Sequence, residues 1–291
     1  MSEIKKMDYS GILGWSVSRY DKFSACKRQY FYDYYPKYDN EFPVEKLQFL
    51  KKLTSRALET GNIVHDLIKD ILCRYQKSVK EVNMDKFFKY ALNLTVQYCQ
   101  KTFYESYYGN EAVLPEDIFA KVKTIMEIFF ASKRFKWIKE NALPESDKWI
   151  IEPDGYGETR IDGLKAYCKV DFLFPVGDKI YILDWKTGKP DEKKHSKQLT
   201  GYCAWASYHF EKEADFIFPF AVYLFPEFSE RNIKIDKDSL LSFAESVRKE
   251  TNDMYNYLTD IENNKPLDKK EFIRTDNNFC CKYCNYREIC L

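Results

Sequence analysis

The chain has 291 residues, long enough to bury a large core, with 45% hydrophobic and 31% charged residues, a balance that excludes both a disordered tail protein and a stapled mini-protein. Its 46 Lys and Arg nearly cancel 45 Asp and Glu, so the net charge is only +1 and no global basic field argues for a nucleic-acid partner. Aromatic residues are unusually abundant at 17%.

Met1 to Gly11 carries charges but no apolar stretch of the secretory kind, and no run approaches the eighteen or so apolar residues of a membrane span. The expected setting is cytoplasmic and thiol-reducing, without a membrane partner. Nine cysteines there point to a metal site before a disulfide framework. Ser18 precedes an aromatic-rich stretch, Arg19 to Tyr35, that reads as one amphipathic helix ended by Pro36. Helical periodicity returns from about Val44 to Gln76, with an interruption expected near Gly61 and His65 on the turn after it. Residues 83–109 and 115–142 also read as helical, giving an all-helical segment from about 75 to 145.

From Lys148 the period changes to two. Strands are expected at Trp149 to Glu152, Lys165 to Phe174 and Lys179 to Trp185, with Pro175 to Asp178 as the turn joining the last two. A helix from about Glu192 to Glu211, a strand from Phe216 to Leu224 and a helix from about Asp238 to Glu262 follow. The plan is helices first, then a mixed sheet with helices packed on it.

The strand ending Asp184-Trp185-Lys186 places Asp184 and Lys186 on one face. A carboxylate there can hold a divalent cation, while a lysine two residues on can position or deprotonate water and offset phosphate charge. Asp171 lies on the preceding strand, and pairing of the two strands would bring both carboxylates to one ion. Alone, such an Asp-x-Lys pair is common on the solvated face of an edge strand. Gln198 and Tyr202 follow at helical spacing, where an amide can orient the lysine or water and a phenol can contact phosphate. His65, far upstream, would by itself be read as a core histidine.

Together these residues resemble the PD-(D/E)xK nuclease superfamily, in particular its RecB-like branch, which includes AddB-type and CRISPR-associated RecB-like exonucleases. The resemblance covers Gly61 to His65, Val170-Asp171, Ile182 to Gly188 and Gln198 to Tyr202, in the family's order. It implies an α/β fold with a central mixed sheet flanked by helices, a restriction-endonuclease-like core spanning 1–291, with the helical segment 75–145 as an insertion. It implies His65, Asp171, Asp184 and the main-chain carbonyl of Trp185 as ligands of Mg2+ or Mn2+, Lys186 as the catalytic lysine, and Gln198 and Tyr202 as active-site support. One departure is Cys168, where the family often has a glycine.

Cys281, Cys284 and Cys290 form a C-x2-C-x5-C pattern within the cysteine-rich tail, 279–291, and three thiolates leave a metal one ligand short. The same resemblance supplies Cys26 as the fourth, for a [4Fe-4S] cluster that staples the two ends of the chain. A zinc site built from the same thiolates is the alternative, although zinc ribbons usually pair two short knuckles and only one is present. Cys280 could replace Cys281, at the cost of a poorer match to the family spacing.

Between Lys186 and Lys197 five lysines face Asp191 and Glu192, a local charge of +3 that reads either as a solvated loop or as a track for a DNA backbone. No G-x4-G-K-[ST] motor signature occurs, so the chain is expected to act alone or to serve a helicase or integration complex. The function implied is metal-dependent hydrolysis of DNA, with single-stranded ends as the expected substrate, in DNA repair, recombination or CRISPR adaptation. The competing reading is a non-catalytic nucleic-acid-binding module held together by a four-cysteine iron-sulfur or zinc site.

Overall fold

A computed structural model describes residues 4–153 and 157–290. The extreme ends of the expected 1–291 domain and of the 279–291 tail, including Met1 and Leu291, lie outside the described residues. In chain order the helices and strands are α1 (Val17–Ala25), α2 (Lys27–Tyr34), α3 (Val44–Lys51), α4 (Arg56–Lys77), α5 (Met84–Tyr98), α6 (Tyr104–Gly109), α7 (Pro115–Ala131), α8 (Lys133–Asn141), β1 (Ile150–Ile151), β2 (Glu158–Ile161), β3 (Leu164–Tyr167), β4 (Phe172–Val176) and β5 (Lys179–Lys186). They continue as α9 (Glu192–Phe210), β6 (Ile217–Tyr223), β7 (Ser229–Asn232), α10 (Lys237–Tyr255), β8 (Leu258–Asp260), β9 (Lys265–Pro266), α11 (Asn278–Lys282) and α12 (Arg287–Cys290). The chain divides into two compact units: Met1–Lys5, Thr54–Thr159 and Cys168–Phe243 form the first; Lys6–Leu53, Arg160–Tyr167 and Ala244–Leu291 form the second.

The first unit is built on a five-stranded mixed sheet of order β1-β4-β5-β6-β7. β4 and β5 form an antiparallel hairpin whose turn is Gly177-Asp178, shorter than the expected turn by Pro175 and Val176, which belong to β4, with Gly177 at φ 62°. Glycine takes that left-handed conformation without a Cβ penalty. β5 then pairs parallel with β6, and a parallel pair needs a crossover, which α9 supplies. Successive β5 side chains point to opposite faces. Leu183 and Trp185 enter a core with Ile63 and Leu67 of α4 and Val122, Ile125 and Phe129 of α7, whereas Asp184 faces α9.

The second unit is dense in rings. Phe23, Tyr30, Tyr35, Tyr257 and Phe272 pack at centroid distances of 5.0–6.1 Å, and Tyr32 lies 5.0 Å from Tyr286. Much of the aromatic excess is core packing of this kind.

Four expectations are corrected. The helix expected over Arg19–Tyr35 is two, because Cys26 adopts extended backbone (φ −159°, ψ 110°) and its Sγ accepts from the Gln29 N–H, making it the N-cap of α2. α4 runs through Gly61 without a break, since a lone glycine costs a helix only about 1 kcal/mol relative to alanine. The interruption falls instead before Ser55, whose Oγ caps α4 through the Leu58 N–H, and His65 is therefore mid-helix. The strand expected at Lys165–Phe174 is two, β3 pairing with β2 and β4 joining the central sheet. Finally, α10 stops at Tyr255, and β8 and β9 form a short ribbon beyond it.

Phe129 is fully buried, 4.6 Å from the Phe135 ring and 5.5 Å from Trp185. Phe129→Ala should cost about 3–5 kcal/mol by opening a cavity under Trp185. The midpoint of urea unfolding checks this; a loss below about 1 kcal/mol would show that α7 does not carry the core.

Candidate active site

Asp184 is the most buried carboxylate of the site, with 1% of its surface exposed, because β5 lies between β4 and β6 and α9 covers its face. The hairpin register pairs Phe172 with Leu183, so Asp171, just before β4, reaches the end of β5, where its Oδ2 accepts from the Trp185 N–H at 3.0 Å. α4 brings His65 to the same point. Its Nε2 lies 3.0 Å from the Trp185 carbonyl oxygen, and its Nδ1 lies 3.4 Å from Asp171 Oδ2. Residues 120 positions apart in sequence thus meet at the main chain of Trp185.

On the other face a closed relay of side chains surrounds Asp184. Lys186 Nζ donates to Gln198 Oε1 at 2.8 Å, Gln198 Nε2 donates to Tyr202 OH at 2.5 Å, and Tyr202 OH donates to Asp184 Oδ1 at 3.2 Å. Lys186 Nζ also lies 2.5 Å from Asp184 Oδ2, but without hydrogen-bond alignment, so this buried oxygen has an ionic neighbour and no hydrogen-bond partner. Burial and the neighbouring Asp171 push the Asp184 carboxyl up to about 6, against the opposing pull of Lys186 and His65. The Tyr202 phenol is held well above its ordinary range by burial and by Asp184, so it stays a hydrogen-bond donor.

The structure therefore brings together His65, Asp171, Asp184, Trp185, Lys186, Gln198 and Tyr202. Two carboxylates, an imidazole and a carbonyl are a donor set suited to Mg2+ or Mn2+, and Asp184 Oδ2, which faces the Lys186 ammonium and has no hydrogen-bond partner, is an oxygen such an ion could use. As they stand these donors are paired with one another, and among the described residues no three His, Cys, Asp or Glu side chains are gathered as a ready ligand group.

Sequence reasoning missed several neighbours. Tyr223, opposite Lys186 in the parallel register, lies 2.7 Å through its hydroxyl from His195 Nδ1, which also accepts from the Asp191 N–H at 3.3 Å. The imidazole proton accordingly sits on Nε2. Burial and the nearby Lys186 ammonium lower the basicity of His195. Its position three residues before Gln198, on the same helical face, was the available signal. An open cleft of about 510 Å³ adjoins the site and is lined by Gly61, His65, Asp66, Tyr98, Glu152, Lys169, Asp171 and Thr187 among others. A Cβ on Gly61 would stand 3.3 Å from Thr187 Oγ1, so the glycine admits close approach of α4 to the end of β5.

In the second unit, Cys26, Cys281, Cys284 and Cys290 line one pocket, together with Cys280, Gln29, Tyr32, Arg274, Thr275, Tyr286 and Arg287. All five thiols are free. Burial, and then the neighbouring Cys26, Cys290 and Cys281, push the Cys284 thiol up to about 11. Thiols crowded this way gain from a shared cation that stabilises their thiolates. Thiolates are the donor type a soft metal or an iron-sulfur cluster takes, although among the described residues no three cysteines are gathered as a group that could hold a metal ion. Cys280 lies in the same pocket, so position in the fold does not separate it from Cys281.

Among the described residues no helix is long and apolar enough to cross a membrane. The family model of the PD-(D/E)XK nuclease superfamily matches residues 14–291. No curated protein matches the chain. A solved structure described as "Crystal structure of SSO0001" is similar at 20% identity, covering 77% of this chain and 94% of its own, with a TM-score of 0.28.

The raised pKa of Asp184 has a definite sign. Its carboxyl is a weaker acid when folded than in the unfolded chain, near 3.9, so stability present at low pH is lost as pH rises from about 4 to about 6. In EDTA, Asp184→Asn should therefore be more stable than the parent at pH 7.5 by about 3 kcal/mol, with the difference vanishing near pH 4. Denaturant titrations at the two pH values check this, and an Asn variant less stable at pH 7.5 would contradict it.

Proposed function

Because the chain belongs to the PD-(D/E)XK nuclease superfamily, whose members are generally phosphodiester hydrolases, we propose that it is a metal-dependent deoxyribonuclease of the RecB-like type, acting as an exonuclease on single-stranded DNA ends. The observation that carries the reading is the relay Lys186–Gln198–Tyr202–Asp184, closed around a buried carboxylate whose second oxygen lacks a hydrogen-bond partner. The Lys186 ammonium offsets that carboxylate, and a divalent ion would add a second positive partner.

In this reading His65, Asp171, Asp184 and the Trp185 carbonyl hold Mg2+ or Mn2+. When bound, the ion supplies a polarised phosphoryl oxygen and a more acidic water. Lys186 positions the attacking water and offsets charge developing on the phosphate. Gln198 fixes the lysine's direction, and Tyr202 keeps Gln198 in place while donating to Asp184. Imidazole is a softer ligand than water or carboxylate, so activity should be higher with Mn2+ than the all-oxygen pattern would give. An enzyme limited to unpaired ends works on duplex where another protein separates the strands, which is the place for a helicase or integration complex in DNA repair, recombination or CRISPR adaptation.

End-labelled and circular single-stranded DNA with Mn2+ test this. Linear strands should be degraded, closed circles should resist, and activity should vanish in EDTA and in Lys186→Ala. Full activity of Lys186→Ala would remove the mechanism, and equal cutting of circles would remove the exonuclease assignment.

The four-thiol pocket is read as the seat of a [4Fe-4S] cluster held by Cys26, Cys281, Cys284 and Cys290. A cross-link between positions 26 and 281 closes a very long loop, which by analogy with disulfides stabilises by about 5 kcal/mol. Anaerobically purified Cys26→Ser should lose the visible absorbance and bound iron and melt earlier, while Cys280→Ser should change little. Stoichiometric zinc in the parent protein would replace the cluster by a zinc site, and full iron in Cys26→Ser would overturn the ligand set.

A further inference from the structure

We propose that Lys169, which lines the cleft beside His65 and Asp171, and Lys69, which meets it at Glu152, form a fork that binds a backbone phosphate of single-stranded DNA other than the one being cleaved; the inference rests on the nuclease reading above. Both ammonium groups converge on one oxygen: Glu152 Oε2 accepts from Lys169 Nζ at 3.1 Å and from Lys69 Nζ at 3.3 Å. That oxygen occupies the position an anionic phosphate oxygen takes between two lysines.

The fork is fixed to the catalytic frame at both sides. Lys69 stands one helical turn beyond His65 on α4, and Lys169 stands two residues before Asp171. Glu152 is tied to the same strand end, its N–H donating to the Asp171 carbonyl oxygen at 3.0 Å, with its backbone in the left-handed region at φ 42°. A non-glycine residue held in that region is costly and persists where its surroundings determine it. The Glu152 side chain is 15% exposed, the two lysines 40% and 47%.

Charge decides what the fork can take. One carboxylate cannot neutralise two ammonium groups, so the trio keeps a net positive charge and free N–H donors toward solvent. Asp66, which also lines the cleft and whose charge acts on Lys69, accepts from the Tyr98 hydroxyl. Asp171 accepts from the Trp185 N–H. Lysines act on phosphate as point charges without reading bases, so a fork of this kind tracks a strand irrespective of its sequence.

The test is binding without cleavage. Fluorescence anisotropy of a labelled single-stranded oligonucleotide with the full chain in EDTA, across a salt series, gives the dissociation constant and its salt slope. For Lys69→Gln/Lys169→Gln the slope should fall by about 0.7, since the fork contacts one phosphate and each phosphate contact on a single strand contributes about 0.7, and the dissociation constant at low salt should rise several-fold. Glu152→Gln, which removes the competing charge, should bind more tightly, an effect that a purely structural role of Glu152 would reverse. Lys89→Gln, on the exposed surface of α5, should leave the slope unchanged. An unchanged slope in the double variant, beside salt-dependent binding by the parent, would overturn the fork and leave the nuclease reading standing. A parent chain that neither binds nor cleaves DNA would overturn both.

Discussion

The first unit is organised by the need to keep one carboxylate, Asp184, inside a five-stranded sheet and still chemically useful. Desolvation disfavours its charge, and Asp171 adds repulsion. Against these stand Lys186 and a hydrogen bond from Tyr202. The alternation of β5 makes this possible, since Asp184 and Lys186 share one face while Trp185 anchors the strand in the helical core on the other. Removing Lys186 would leave the carboxylate uncompensated, and it would then be expected to take up a proton. The lysine is therefore an electrostatic partner of Asp184 before it is anything else.

The second unit meets a parallel problem with different chemistry. Asp33 is buried on α2, where it accepts from Lys22 and from the Tyr286 hydroxyl, the latter at 2.6 Å. Tyr286 lies between Cys284 and Cys290, and its ring packs on Tyr32. One buried hydrogen bond thereby ties the cysteine-bearing tail to the helix that Cys26 caps. Tyr32 and Tyr286 both line the pocket that the thiols share. A cluster or ion seated there would add a cross-link to an arrangement whose parts are already indexed to one another.

The legibility of these sites followed the range of the interactions behind them. Asp184 with Lys186, and Gln198 with Tyr202, could be read because the strand period and the helical repeat fix which neighbours share a face. His65 could not be placed by periodicity, since its partner is a main-chain carbonyl 120 residues away, and the family resemblance alone supplied it. The break at Cys26 was hidden because cysteine rarely signals an N-cap, and its cap bond appears only once the backbone turns. Gly61 misled in the other direction. Its role is the approach to Thr187, a tertiary demand that a local reading takes for a helix stop. Glu152, Lys69 and Lys169 escaped notice because nothing in their spacing shows three charges from α4, the end of β1 and the start of β4 meeting at one oxygen.

If His65 is a metal ligand, as proposed, the pairings at Trp185 set what must change first. His65 Nε2 and the Trp185 carbonyl lie 3.0 Å apart, which requires the imidazole proton on Nε2. For Nε2 to serve as a ligand, that proton must leave it, and Nδ1 is the remaining position on the ring. Asp171 Oδ2, 3.4 Å from Nδ1, is the acceptor that would stabilise the new tautomer, in the way carboxylates commonly orient metal-bound histidines. The same oxygen already holds the Trp185 N–H, so Asp171 couples the histidine's tautomer to the strand that carries Asp184.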